Sequence, residues 1–136
     1  MTAPPKIVII GTGGTIAGRS SSATGLAYEA AKLSVEDLLE AVPGLENVAQ
    51  ISAQSLFSLN SKDMGPAEWQ QLAGRTSEGL RDPGISGAVI THGTDTLEEA
   101  ALFLHLTVRS DKPVVLTGSM RPVSYTHLTL PTSDLV

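Results

Sequence analysis

The sequence predicts an α/β fold, a mostly parallel sheet with helices on both faces, on three observations. Short β-branched runs recur along the chain, and amphipathic helical stretches separate them. The clearest runs are continuously apolar, as strands covered on both faces are. Each run ends in glycines and hydroxyl residues, which suits strands that finish at one edge of a shared sheet.

The elements come in order along the chain. Lys6 to Ile10 (KIVII) is a short apolar run ended by glycine and reads as the first buried strand. Ser34 to Val42 reads as a helix: Ser34 is a capping hydroxyl, Asp37 stands three positions on, and Val35, Leu38, Leu39 and Val42 share a face. Pro43-Gly44 stops it. From Ile51 to Leu59, the residues Ile51, Ala53, Ser55, Phe57 and Leu59 fall on one side of an extended segment. Pro66 opens the next helix, with Trp69, Leu72, Ala73 and Leu80 as its apolar stripe, and Arg81-Asp82-Pro83-Gly84 is a turn. Ala88 to Thr91 is a third strand. Leu97 to Val108 is a helix with Glu98 and Glu99 at the positive end of its dipole, and Pro113 to Thr117 is a fourth strand. The loop from Gly18 to Ala31 is long and rich in small residues.

A chain of 136 residues favours one domain and is long enough for a real core. With 41% apolar and 17% charged residues, disorder over most of the length is excluded. The net charge of -5 repels phosphate backbones and anionic lipid, so no nucleic-acid or membrane-surface partner is expected. The absence of cysteine removes disulfides, thiolate catalysis and cysteine-ligated metal sites. No apolar run reaches the roughly 20 residues of a membrane span, and the N-terminus lacks the roughly 7–15 apolar residues of a secretory core. A cytoplasmic location is the expectation.

Four polar clusters stand at the ends of the four strands: Gly11-Thr12-Gly13-Gly14-Thr15, Ser58 to Asp63, Thr91-His92-Gly93-Thr94-Asp95-Thr96, and Thr117-Gly118-Ser119. Any one is explained by the liking of turns for such residues. Four meeting along one sheet edge favour a site. The glycine loop fails the dinucleotide pattern, because Ile16 stands where the third glycine belongs. Gly13 to Ser20 (GGTIAGRS) matches a phosphate loop except that Arg19 replaces the lysine, so a phosphate-loop-like nucleotide-binding module is the alternative reading. The other reading is hydroxyl chemistry. Glycines admit a substrate close to the backbone, and their amides suit a carboxylate or oxyanion. Thr15 stands in that loop as a candidate nucleophile that needs an activating base. His92 reads first as a capping or packing residue, and His105 as a boundary residue within a helix. Asp95 reads either as a helix-terminal acid or as a partner for a substrate ammonium. No pair of histidines or carboxylates has metal-ligand spacing, and no metal is expected.

These residues resemble the bacterial L-asparaginase family in its two-domain, homotetrameric form. The first signature is Thr12-Gly13-Gly14-Thr15-Ile16-Ala17-Gly18, and the second is Thr91-His92-Gly93-Thr94-Asp95-Thr96 followed by Leu97-Glu98-Glu99. Ala41-Val42-Pro43, Ser61-Lys62-Asp63-Met64, and Asp111 to Val115 through Met120-Arg121-Pro122 support it in the same order. The resemblance implies hydrolysis of asparagine to aspartate and ammonia, with variable action on glutamine and no cofactor. It implies Thr15 as the nucleophile that forms an acyl-enzyme, Thr94 as the second catalytic threonine, and Tyr28 as the tyrosine that closes over the site. Asp95 would grip the substrate α-amino group and Ser61 its α-carboxylate, with Gly14 and Gly93 beside them. Lys62 stands where many members have glutamine.

The same resemblance implies a truncated N-terminal asparaginase-type domain. The family's lysine partner of the second threonine, and the C-terminal domain that completes a neighbouring subunit's site, are expected beyond this sequence. The chain as written is therefore expected to be inactive. Residues 1–122 are assigned to the partial domain. Residues 123–136 depart from the family, and VSYTHLTLPT reads as a translated sequencing adapter, so Tyr125 and His127 are not site candidates.

Overall fold

In a computed structural model, the described residues are 3–14, 19–20, 28–29 and 34–119, with only the backbone described at 19–20 and 28–29. Six strands and three helices lie among them. Strands β1 (Lys6–Gly13), β4 (Gln50–Leu59), β5 (Ile85–Thr91) and β6 (Val114–Thr117) form one sheet in the order β4-β1-β5-β6. Every neighbouring pair is parallel. Strands β2 (Arg19–Ser20) and β3 (Tyr28–Glu29) make a separate antiparallel pair.

Helices cover both faces of the sheet. Side chains alternate along a strand, so the odd and even residues of β1 serve different layers. Val8 and Ile10 enter a core with Ala88 and Ile90 of the sheet, Leu72 and Leu80 of α2 (Pro66–Arg81), and Leu104 of α3 (Leu97–Thr107). Gly11 points the other way, towards Val35 of α1 (Val35–Glu40); a β-carbon on it would stand 2.8 Å from the Val35 Cβ. Glycine is what lets α1 sit this close to the central strand.

Local chemistry sets the helix ends. Ser34 and Asp37 form a reciprocal capping box on α1, the backbone N–H of each bonding the side chain of the other. The helix stops at Glu40, two residues before the expected end, so Val42 lies outside it and is exposed. Pro66 occupies the first turn of α2, and the Glu68 carboxylate accepts from the Gly65 N–H. At the other end of α2, Lys112 Nζ donates to the carbonyls of Leu80 and Asp82 at 2.8 and 2.7 Å. A cation at a helix C-terminus satisfies orphan carbonyls and complements the dipole. Strand β5 begins at Ile85, three residues before the apolar run that marks it in the sequence.

Strand β4 departs from its expected single face. Ile51, Ala53 and Ser55 pair with Ile7, Ile9 and Gly11, and the Ser55 hydroxyl accepts from the Val35 N–H, so these residues face α1. Phe57 and Leu59 instead pack against the opposite core. The cause is a register shift: Gly11 pairs with Ser55, but Gly13 pairs with Leu59. Two steps along β1 thus match four along β4, and such a bulge turns the strand and re-aims the side chains beyond it.

Candidate functional site

The carboxyl edge of the sheet is where the backbone runs out of room. Gly13 and Gly14 both have positive φ, 100° and 83°, where side chains are strained, so the end of β1 turns sharply. The Gly14 N–H donates to the Leu59 carbonyl at 2.9 Å, which ties this turn to the end of β4. A β-carbon on Gly14 would lie 2.5 Å from the Cα and N of Gly93. One on Gly93 would lie 2.6 Å from the Ser61 hydroxyl oxygen. Gly93 therefore packs against both Gly14 and Ser61, although the three come from separate stretches of sequence.

The fourth cluster joins on the far side. The His92 N–H donates to the Thr117 carbonyl at 2.9 Å, and a β-carbon on Gly118 would meet the His92 carbonyl oxygen at 2.5 Å and the Thr94 methyl at 3.3 Å. The Thr96 hydroxyl donates to the Ser61 carbonyl at 2.9 Å. It is thereby committed away from the first turn of α3, where Thr96 is the N-cap residue without a side-chain cap.

The expected site residues fall into two groups, those at this edge and those outside the described residues. Ser61, 3% exposed, opens the short 3-10 turn Ser61–Asp63. Gly14 and Gly93 lie against each other beside it. Thr94 and Asp95 come directly after Gly93 and are exposed at the edge. Asp95 directly precedes Thr96, the N-cap of α3, and its side chain bonds none of the described residues. Lys62 comes after Ser61 and is exposed. Thr15 lies outside the described residues, as does the Tyr28 side chain, whose backbone pairs with Ser20. The loop stretches 21–27 and 30–33, and the tail with Tyr125 and His127, also lie outside them.

His92 is fully buried, and its Nδ1 lies 2.7 Å from the Gly93 carbonyl oxygen. That contact requires a proton on Nδ1, and Nε2 has no partner among the described residues. This is the packing role read for it in the sequence. Two hydroxyls were visible there only as letters of the signatures: Thr12 and Thr96, each spent on a backbone carbonyl across the edge. The available signals were a hydroxyl at the end of a buried strand for Thr12 and one just before a helix for Thr96.

The nucleotide-binding alternative fails on backbone shape. A phosphate loop opens directly into a helix whose N-terminal amides hold the phosphates. Here Arg19–Ser20, where that helix would begin, are extended and paired with Tyr28–Glu29. Among the described residues, no group of three or more His, Asp or Glu side chains is placed to hold a metal ion. None of the described helices is long and apolar enough to cross a membrane.

With this geometry in place, the comparisons with known proteins are decisive. The family model "Asparaginase, N-terminal" matches residues 6–128. The chain belongs to the asparaginase family. It is 47% identical over 120 residues to the probable periplasmic L-asparaginase of Haemophilus influenzae, a match that covers 88% of this chain and 34% of that one. It is 46% identical over 118 residues to the glutaminase-asparaginase of Acinetobacter glutaminasificans, covering 86% of this chain and 36% of the relative. Among solved structures, the probable cytoplasmic L-asparaginase of Campylobacter jejuni matches with a TM-score of 0.79 and 47% identity, over 88% of this chain and 36% of that one. The chain thus spans about a third of the length of these asparaginase relatives. The relatives' names divide between periplasm and cytoplasm.

Proposed function

We propose that this asparaginase-family chain supplies the nucleophile-bearing part of an amidohydrolase that releases ammonia from asparagine, with glutamine as a second substrate. The observation that carries the reading is Gly93 packed between Gly14 and Ser61 at the carboxyl edge, with Thr94 and Asp95 next in the chain. Open α/β sheets bind ligands at this edge.

Each residue takes a role that its chemistry permits. The Thr15 hydroxyl attacks the side-chain carboxamide carbon, the C–N bond breaks, and ammonia leaves with the proton from the hydroxyl. Water then cleaves the resulting ester and releases aspartate. Thr94 handles protons at the reacting centre, and Tyr28 helps to activate the nucleophile. Asp95 binds the substrate ammonium by a charge-assisted hydrogen bond, and Ser61 binds the α-carboxylate. Lys62 borders that contact. Gly14 and Gly93 keep the walls free of side chains. No cofactor enters this chemistry. The proposal extends to a homotetrameric, cytoplasmic full-length protein, in which residues beyond 122 supply a lysine partner for Thr94 and a neighbouring subunit adds an acid.

The test is ammonia release from asparagine by the full-length polypeptide that carries these residues, with and without Thr15→Val. The substitution removes one hydroxyl at nearly constant volume. Loss of turnover by several powers of ten, with the folded state retained, is expected; an unchanged kcat rejects Thr15 as the nucleophile.

A further inference from the structure

The last backbone pairing between β1 and β5 joins Gly11 to Thr91. Two residues later β1 pairs with β4 alone: Gly13 pairs with Leu59, and the Gly14 N–H reaches the Leu59 carbonyl. Nothing in the backbone ladder now holds the glycine turn against β5, yet Gly14 must stay in contact with Gly93. At this point the Thr12 hydroxyl donates to the Thr91 carbonyl at 2.7 Å, between residues 79 positions apart. Thr12 is 1% exposed, so water does not compete for the bond. Glycines on both sides of the contact have no side chains with which to fix their own spacing.

We propose that Thr12 is a positioning residue: its hydroxyl adds a side-chain bond to the Thr91 carbonyl where the β1–β5 ladder ends, and so sets the distance between the Gly13–Gly14 turn and the Gly93–Ser61 wall. The inference rests on the hydrolytic reading of this edge. Thr12 does not touch the substrate. It acts through the backbone of the turn, and a displacement of about 1 Å in such a wall can cost on the order of a hundredfold in rate.

The group that tests this is the hydroxyl alone. In the full-length polypeptide, Thr12→Val keeps the shape and removes the donor, Thr12→Ser keeps the donor, and Thr12→Cys offers a weaker one. Steady-state asparagine hydrolysis and the thermal midpoint are measured for each. The expected order of kcat is parent, Ser, Cys, Val. The valine variant should fall by about ten- to a hundredfold while KM moves by less than about threefold. If Thr12→Val does not fold, the comparison of Ser with Cys decides, since both keep a small polar group and differ chiefly in donor strength. Equal kcat in Ser and Cys, a valine variant as fast as the parent, or a serine variant as slow as valine would each overturn the tether. A parent that releases no ammonia instead sinks the hydrolytic reading, and this inference with it.

Discussion

Gly93 and Ser61 touch so closely that one added methyl group has nowhere to go: a β-carbon on Gly93 would stand 2.6 Å from the serine oxygen and 2.8 Å from its Cβ. Ser61 cannot easily give way, because it is buried and its carbonyl is held by the Thr96 hydroxyl. Gly93→Ala is therefore expected to cost about 1–3 kcal/mol, the range for overpacking a tight site, and to abolish asparagine turnover. Gly74→Ala is the control. Gly74 lies within α2 with nothing within 4 Å of an added β-carbon, so that change should stabilise by about 0.5–1 kcal/mol. Urea unfolding of both variants reads the difference; equal midpoints would refute the steric account of Gly93.

The elements of the fold were legible where one local signal decided them. The Ser34–Asp37 capping pair, Pro66 at the head of α2 and the apolar run into β1 each place an element from a few residues. The alternation in β4 misled after Ser55, because the bulge opposite Gly11–Gly13 breaks the alternation locally and carries no mark in β4 itself. The site divides in the same way. Glycines and hydroxyls at the strand ends marked the edge. Which of them touch is a tertiary fact: the contact of Gly14 with Gly93, and the hydroxyl bonds of Thr12 and Thr96, join residues far apart in sequence.

Lys112 offers a test of the scaffold that leaves the edge alone. Its ammonium bonds two carbonyls where α2 ends, at Leu80 and Asp82, and so fastens the entry of β6 to the entry of β5. Lys112→Met keeps the length of the stem and removes the charge. Bonds from charged donors contribute roughly 1.5–3 kcal/mol when buried. Lys112 is partly exposed, and water can replace part of what is lost, so a loss nearer 1 kcal/mol is expected. The midpoint of chemical unfolding should drop accordingly, and more steeply in low salt than in high, while KM for asparagine stays fixed. A variant as stable as the parent would show that the two bonds contribute nothing net.

Asp95 separates binding from folding in one substitution. It stands just before the N-cap of α3, is exposed, and bonds none of the described side chains or amides. Its carboxylate can favour the α3 dipole, a contribution of about 0.3–1 kcal/mol that Asp95→Asn would forfeit. If the carboxylate also grips the substrate ammonium, the same change removes a charge-assisted bond of roughly 1.5–3 kcal/mol from the complex, or about ten- to a hundredfold in affinity. The two effects fall on different measurements. The thermal midpoint should move little, whereas binding of asparagine should weaken strongly and binding of an analogue without the α-amino group should hardly change. The comparison is made in the full-length polypeptide, with both ligands on the parent and the variant. Equal losses for the two ligands would assign Asp95 to the architecture of the loop, and the ammonium would then need another partner.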